Sequence, residues 1–466
     1  MTRRWTALAL LCLAFFIDVM GSTSVFTASP EIERSLGLTQ AGLQWSITAA
    51  TLPAGALLLA GGRVADLFGR KRMFIAGLGL FLVASLGCGL AHSVAVLIAA
   101  RVGQGIAGAI LMPAALGLVV GTFTEDSERH KALAAWSATG GIGATAGLLL
   151  GGLVTAGLGW QWVFLINAPP VLAMLAVSPA LLTEPATRED SRRIDGPGTV
   201  TFTAGIGLLI YAISQGPDTG WLAATTLAAA IAGAVLLVAF VRIEQTSSQP
   251  IVPPRLVRSR LVVSGNATLF VAGMCVDGLL FTLTLYMQRV RGYTALEFGA
   301  VTAVMTVCSV IGSTLAQRLL NRIGTHAVAA TGLGLLAATC GVFAVAATGQ
   351  GRPALLMSGM VLFGLGMGCA FVAGSVASLQ EVRDEDAGVA AAVQNISFSL
   401  GSTVGVAVFS TVAAAVAAGA AGFRAAFGAG VVVATLGLVA ATALRRQSAS
   451  SVTALLEPTG QASDTW

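Results

Sequence analysis

Long apolar runs alternate with short polar breaks along nearly the whole chain. The runs fall at residues 5–29, 41–60, 73–92, 94–121, 131–157, 160–182, 197–215, 221–241, 261–287, 295–317, 326–348, 353–379, 387–418 and 424–444. A helix needs about 20 apolar residues to cross a bilayer, and each run is close to that length or beyond it. The pattern predicts an all-α polytopic membrane protein with fourteen transmembrane helices and both chain ends on one side. The longest polar stretches are 183–195, 244–260 and the part after Arg445. The first two flank the seventh and eighth runs. The expected organisation is a six-helix bundle at 1–195, an inserted two-helix hairpin at 196–243, a second six-helix bundle at 244–446 and a tail at 447–466. The tail is rich in Ser, Thr and Ala and is expected to be disordered. Thr2-Arg3-Arg4 ahead of an apolar stretch resembles the start of a signal peptide. The apolar character continues past Asp18 to Pro30, however, as in a first membrane helix.

Charge supports this order of spans. Only 10% of the 466 residues are charged, 56% are hydrophobic and the mean hydropathy is +0.85, whereas a soluble domain carries roughly 25% charged residues. Of the 26 Lys and Arg, twenty fall on the side of the N-terminus, five on the other side, and Arg101 lies inside a span. Cations concentrate on cytoplasmic loops, so both termini are expected in the cytoplasm. This distribution accounts for the net charge of +5 without a nucleic-acid partner. Lysine is nearly absent (Lys71 and Lys131), and Ala, Gly and Val abound, which fits a GC-rich bacterial genome. The six cysteines all lie in apolar runs with no CxxC pair, and the three histidines are unpaired, so neither a disulfide frame nor a metal site is predicted. No phosphate-binding G-x-x-x-x-G-K-[ST] motif is present. Neither an enzyme nor an ATP-driven pump is expected on these grounds.

Between the second and third runs stands Gly62-Arg63-Val64-Ala65-Asp66-Leu67-Phe68-Gly69-Arg70-Lys71-Arg72. Glycines permit a tight reversal there, Asp66 suits a helix N-terminus, and Arg70 and Lys71 suit acidic groups or lipid phosphates. A faded copy, Gly312 to Gly324 with Arg318 and Arg322 but no Asp, sits between the corresponding runs of the second bundle. The first stretch resembles the signature loop of the major facilitator superfamily, G-x-L-A-D-x-x-G-R-K/R, with Val64 in place of Leu. Other stretches are similar to the fourteen-helix drug:proton antiporters of that superfamily. They include Arg101-Val-Gly-Gln104-Gly105 through Ala109 to Pro113, Trp160-Gln-Trp162-Val-Phe-Leu-Ile-Asn167-Ala-Pro169, and Leu283 through Tyr286, Gln288 and Gly292 to Gly299.

The resemblance implies two six-helix bundles plus two central helices, working by alternating access in a bacterial cell membrane. It gives the Gly62, Asp66, Gly69, Arg70 and Lys71 loop a gating role at the cytoplasmic side. It also gives Arg101 a role in coupling proton movement to substrate; from the residues alone, Arg101 can equally snorkel to the nearby span end. Asp18 and Asp277 are mid-span in the first helix of each bundle. Buried carboxylates of this kind exchange protons near neutral pH, bind cations, or act as packing glue. Gln44, Gln104, Gln394 and Asn395 are polar residues in or near spans, each suited to a cavity wall or to packing. Gly143, Gly147 and Gly151 form a stripe at four-residue steps. With Gly152 they resemble the antiporter motif G-x-x-x-G-P-x-x-G-G, Leu148 replacing the proline. The first helix departs further: where the antiporters carry L-D-x-T-x-V-N-x-A-L-P, this chain reads Met20 to Pro30 without the Asp or the Asn. Asp18 lies on nearly the same face one turn deeper.

The expected function is proton-driven export of a small amphipathic drug or antibiotic by a monomer that needs no cofactor and uses protons as the coupling ion. The alternative is proton-coupled transport of a neutral or anionic metabolite or nutrient.

Overall fold

The computed structural model describes residues 3–38, 40–123, 125–184, 196–246, 255–256, 259–347, 353–380, 382, 387–416 and 419–456. It contains fourteen helices long and apolar enough to cross a membrane. They are α1 (Arg3–Leu36), α2 (Gln40–Phe68), α3 (Arg70–Gly89), α4 (Val94–Thr122), α5 (Asp126–Leu158) and α6 (Trp162–Leu181) in the first bundle. The hairpin is α7 (Gly196–Thr219) and α8 (Ala224–Thr246). The second bundle is α9 (Arg260–Leu285), α10 (Ala295–Ile323), α11 (Thr325–Ala346), α12 (Pro353–Leu379), α13 (Ala387–Val416) and α14 (Ala420–Leu456). A π-helical turn, Tyr286–Val290, extends α9.

Packing repeats between the halves. In the first, α1 packs along α5, and α4 along both α2 and α3; in the second, α9 packs along α13, and α12 along both α10 and α11. Small residues set the register. A Cβ at Gly143 or Gly147 would meet the backbone of Phe16 or Met20, and a Cβ at Gly401 or Gly405 would meet that of Phe270 or Met274. The stretch of α1 around Met20 is thus the counterpart of the stretch of α9 around Met274. Two seams join the halves, α5 against α10 and α2 against α13, and α7 lies only on the second, touching both of its helices. Phe202 and Leu400 pack there with the buried Ala56, Leu59, Ile206 and Ile396.

Helix ends alternate as the span order requires. Arg3 donates to the carbonyl of Ala180 at the end of α6 (2.7 Å), and Lys71 Nζ donates to that of Pro179 (2.7 Å). The chain ends and the α2–α3 turn therefore share one face, called here the terminal face; the other is the far face. Three boundaries differ from expectation. Helix α1 continues through Pro30 to Leu36, where Arg34 Nε caps the Pro30 carbonyl at 3.1 Å. Helix α5 begins at Asp126, and with Leu148 where a proline was expected it runs unbroken to Leu158. Helix α14 continues to Leu456, so residues 447–456 are helical. No Gly or Pro interrupts them, and the helix ends two residues before Pro458, as the clash with a proline ring favours. The rest of the tail, 457–466, lies outside the described residues, as do most of the two linkers flanking the hairpin.

Candidate functional site

A cavity of about 370 Å³ lies between the halves. Its wall comes from α1 to α5 on one side and from α13 on the other, and includes Asp18, Arg101, Gln104, Trp136, Asn395 and Phe398. Leu58, Leu116 and Ala391 lie in the halves of α2, α4 and α13 nearer the terminal face, so the cavity extends that way from Arg101.

Arg101 is only 2% exposed. Its Nε donates to the Ser46 carbonyl on α2 (2.8 Å) and Nη1 donates to Gln104 Oε1 (2.8 Å). Gln104 Nε2 in turn donates to Ser85 Oγ on α3 (3.0 Å). The guanidinium carbon lies 5.9 Å from the Phe164 ring centre. A desolvated cation fixed in this way is a built element of the site and does not snorkel to the membrane surface. Asp18 faces the same cavity and attracts Arg101 electrostatically. Gly108 lets the helices meet there, since a Cβ on it would lie 3.2 Å from Asp18 Oδ1. Phe15, one turn before Asp18, stacks on Trp136 with ring centres 4.5 Å apart. The site thus combines one carboxylate, one fixed cation, two amides and an aromatic wall, with no arrangement of groups for covalent chemistry.

The other predicted residues divide. Asn395 lines the cavity, its Nδ2 held by the Ala391 carbonyl at 2.9 Å. Gln394 turns away toward α12, bonding Ser375 and Ser378. Gln44 lies in the seam between the halves, accepting from Ser410 Oγ at 2.9 Å, while its amide nitrogen is a buried donor without a partner. Asp277 lines a separate cavity of about 80 Å³ and accepts a hydrogen bond from Ser402. Gly143, Gly147 and Gly151 pack on α1, at Phe16, at Met20 and Thr23, and at Ser24 and Thr27; Gly152 faces the other half at Ala295.

The charged stretch is less of a turn than its glycines suggest. Gly62 lies inside α2 beside Pro113, and Gly69 alone breaks the chain, with φ 97°. Asp66 pairs with Arg70 Nε (2.9 Å), and Arg70 Nη1 donates to the Gly117 carbonyl (2.9 Å). The carboxylate at the N-terminus of α3 is Glu184, which accepts from the Lys71 N–H at 3.1 Å and was not singled out from sequence. In the second bundle Gly324, with φ 80°, fills the position of Gly69.

At the far face the sequence named Gln288, Gly152 and Gly299 but not the partners they meet, and it missed the Glu33–Arg289 pair. Glu33 on α1 and Arg289 beyond α9 form an ion pair, and Gln288 Nε2 donates to the Thr27 carbonyl at 3.2 Å. The Gly152–Ala295 and Gly299–Leu148 approaches join α5 to α10. A sequence marks these ends as polar but does not say which meet.

Two pseudo-repeated helical bundles in a membrane, closed at one face over a cavity that extends toward the other, define a transporter and not an enzyme. The family model of the major facilitator superfamily matches residues 11–406 and 268–459, and the chain belongs to that superfamily. It is 36% identical over 420 residues to the puromycin resistance protein pur8 of Streptomyces alboniger, covering 88% of this chain and 82% of that one. It is 34% identical over 410 residues to the cephamycin export protein CmcT of Amycolatopsis lactamdurans (87% and 84% covered). It is also 32% identical over 400 residues to the multidrug resistance protein Stp of Mycobacterium tuberculosis (86% and 74%). The fold is similar to that of the peptide transporter POT in complex with sulfate (TM-score 0.68, 16% identity, 94% and 95% covered). It is also similar to that of a bacterial homolog of the human lysosomal transporter Spinster in an inward-facing, occupied conformation (TM-score 0.68, 15% identity, 96% and 97% covered).

Proposed function

We propose that this protein exports a small amphipathic organic compound, such as an antibiotic, in exchange for protons, by alternating access with its terminal face in the cytoplasm. The observation that carries the reading is the cavity shared by Asp18, Arg101 and the Phe15–Trp136 stack. Its volume falls in the range of small-molecule pockets, roughly 300–1,000 Å³. The apolar and aromatic wall suits an amphipathic cargo, and the carboxylate supplies a group that takes up a proton or attracts a cation. Relatives named for antibiotic resistance, antibiotic export and multidrug resistance support the direction and the class of cargo.

In this scheme Asp18 exchanges a proton against cargo, and Arg101 holds α2, α3 and α4 together through Ser46, Gln104 and Ser85 while its charge biases Asp18. The two bundles rock about the cavity. Gly62, Asp66, Gly69, Arg70 and Lys71 stiffen the terminal ends of α2 and α3 during the motion. The test is a resistance panel in a pump-deficient bacterium. The intact protein raises the inhibitory concentration of at least one organic antibiotic, and Asp18→Asn and Arg101→Gln abolish that rise at equal expression. No resistance to any member of a broad panel, or resistance untouched by both changes, overturns the reading.

A further inference from the structure

We propose that Asp277 is a second proton site, separate from the cargo cavity, whose protonation permits closure of the far face. The inference rests on the proton-coupled reading above and concerns a different compartment. Asp277 is one wall of a cavity of about 80 Å³. That volume holds a few waters, each taking about 30 Å³ in the liquid, and is too small for an organic cargo. Thr23 from α1 and Leu148 from α5 line it on one side, and Thr306, Ser309 and Phe363 from α10 and α12 on the other. The cavity therefore lies between the halves and exists only while they are together.

The repeat places this site on the far side of the cargo cavity. With Met20 matching Met274, the counterpart of Asp277 in the first bundle is Thr23, five residues beyond Asp18. At 1.5 Å of rise per residue, Asp277 lies about 7.5 Å nearer the far face than Asp18. That is the face held shut by Glu33–Arg289, Gln288–Thr27 and Gln44–Ser410.

Among the described residues, no counter-charge lines the cavity of the Asp277 carboxylate. Ser402 on α13 is its hydrogen-bond partner, and among the described residues Asp277 is the one titratable group lining its cavity. Helix α13 carries no titratable group. On α1, Asp18 lines the other cavity, Cys12 contacts Thr139, and the charged residues lie at the helix ends. The charged residues of α5 lie in 126–131. On α10, Cys308 is mid-helix, Glu297 is at the start, and Arg318 and Arg322 are near the end. On α12, Cys369 donates to the Gly312 carbonyl; Arg424 begins α14; and on α9 itself Cys275 faces Cys340 of α11, while Arg260 is at the start. A lone carboxylate charge half-buried between packed membrane helices costs a few kcal/mol, and such a group takes up a proton instead. A proton acquired from the far side while that face is open thus allows the halves to close over Asp277. It leaves later toward the cargo cavity, whose wall at Gly21 and Ser22 adjoins Thr23.

The distance measurement needs neither cargo nor an imposed gradient; cargo affinity, read with a compound of the resistance profile, is the control. Spin labels are placed at Leu158 and Leu296, exposed residues at the far ends of α5 and α10, in a background lacking the six native cysteines. In the intact protein the distance distribution moves toward the short, closed population as the medium is acidified. Asp277→Asn, a mimic of the protonated side chain, holds the closed population at every pH and keeps cargo affinity, which also shows that it folds. Asp277→Glu restores the pH response. A pH response that survives in Asp277→Asn, or a loss of cargo affinity there equal to that of Asp18→Asn, overturns the proposal. The proton-coupled reading fails separately, if cargo transport proves independent of a proton gradient.

Discussion

Glu33, at the far end of α1, and Arg289, just beyond α9, form an ion pair that ties one half of the transporter to the other. Both side chains keep partial contact with water, 22% and 31% exposed, so the pair contributes no more than about 1 kcal/mol. That bias is useful in a machine that must reopen, because a far stronger link would trap one state.

Glu33→Gln therefore shifts the balance toward the far-open state by up to about fivefold, without unfolding the protein. Labelling of a cysteine placed at Thr27 by an impermeant reagent from the far side measures the shift. The double exchange Glu33→Arg with Arg289→Glu returns labelling toward the level of the intact protein.

Gly147 and Gly141 make a matched pair. A Cβ at Gly147 has no room beside Thr23 Oγ1, whereas one at Gly141 meets nothing within 4 Å. Gly147→Val destabilises by about 1–3 kcal/mol or more, as overpacked cores do, and lowers the melting temperature in detergent. Gly141→Ala leaves it unchanged.

Gly69 holds a φ of 97° with Glu184 against it. Gly69→Ala costs about 1–2 kcal/mol, the penalty for a side chain in left-handed backbone, and displaces Glu184 from the N-terminus of α3. Thermal unfolding reports the cost. Gly324→Ala shows the backbone part alone, since open space surrounds that position.

Arg101 needs its fork. A lysine cannot donate in the same geometry to both the Ser46 carbonyl and Gln104. Arg101→Lys lowers transport by about tenfold or more, roughly 1.4 kcal/mol, with expression and melting temperature closer to the intact protein than in Arg101→Ala. Initial rates of cargo uptake in everted vesicles make the comparison.

Much of this architecture is legible in the sequence, because hydrophobic length and loop charge are one-dimensional signals. All fourteen spans, the inserted hairpin between two bundles and the glycine stripe of α5 are read directly. Partners across the fold are not. Gln44 and Gln104 look alike in a sequence, yet one binds Ser410 across the seam and the other anchors Arg101. Asp18 and Asp277 look like symmetric counterparts, yet a five-residue offset in the repeat puts them in separate cavities. Glu184 and Glu33 resemble ordinary loop charges, because helix-dipole and inter-bundle contacts depend on which helix ends the fold brings together.

Exchange of cargo for protons through the Asp18–Arg101 cavity, as proposed above, couples the two fluxes. The most direct measurement is proton flux in everted vesicles holding an imposed pH gradient, followed with an acridine probe as a compound of the resistance profile is added. Cargo is expected to collapse the gradient in the intact protein and not in Asp18→Asn, and a protonophore to abolish accumulation. Accumulation that persists with the protonophore, or a gradient that cargo leaves untouched, would contradict it.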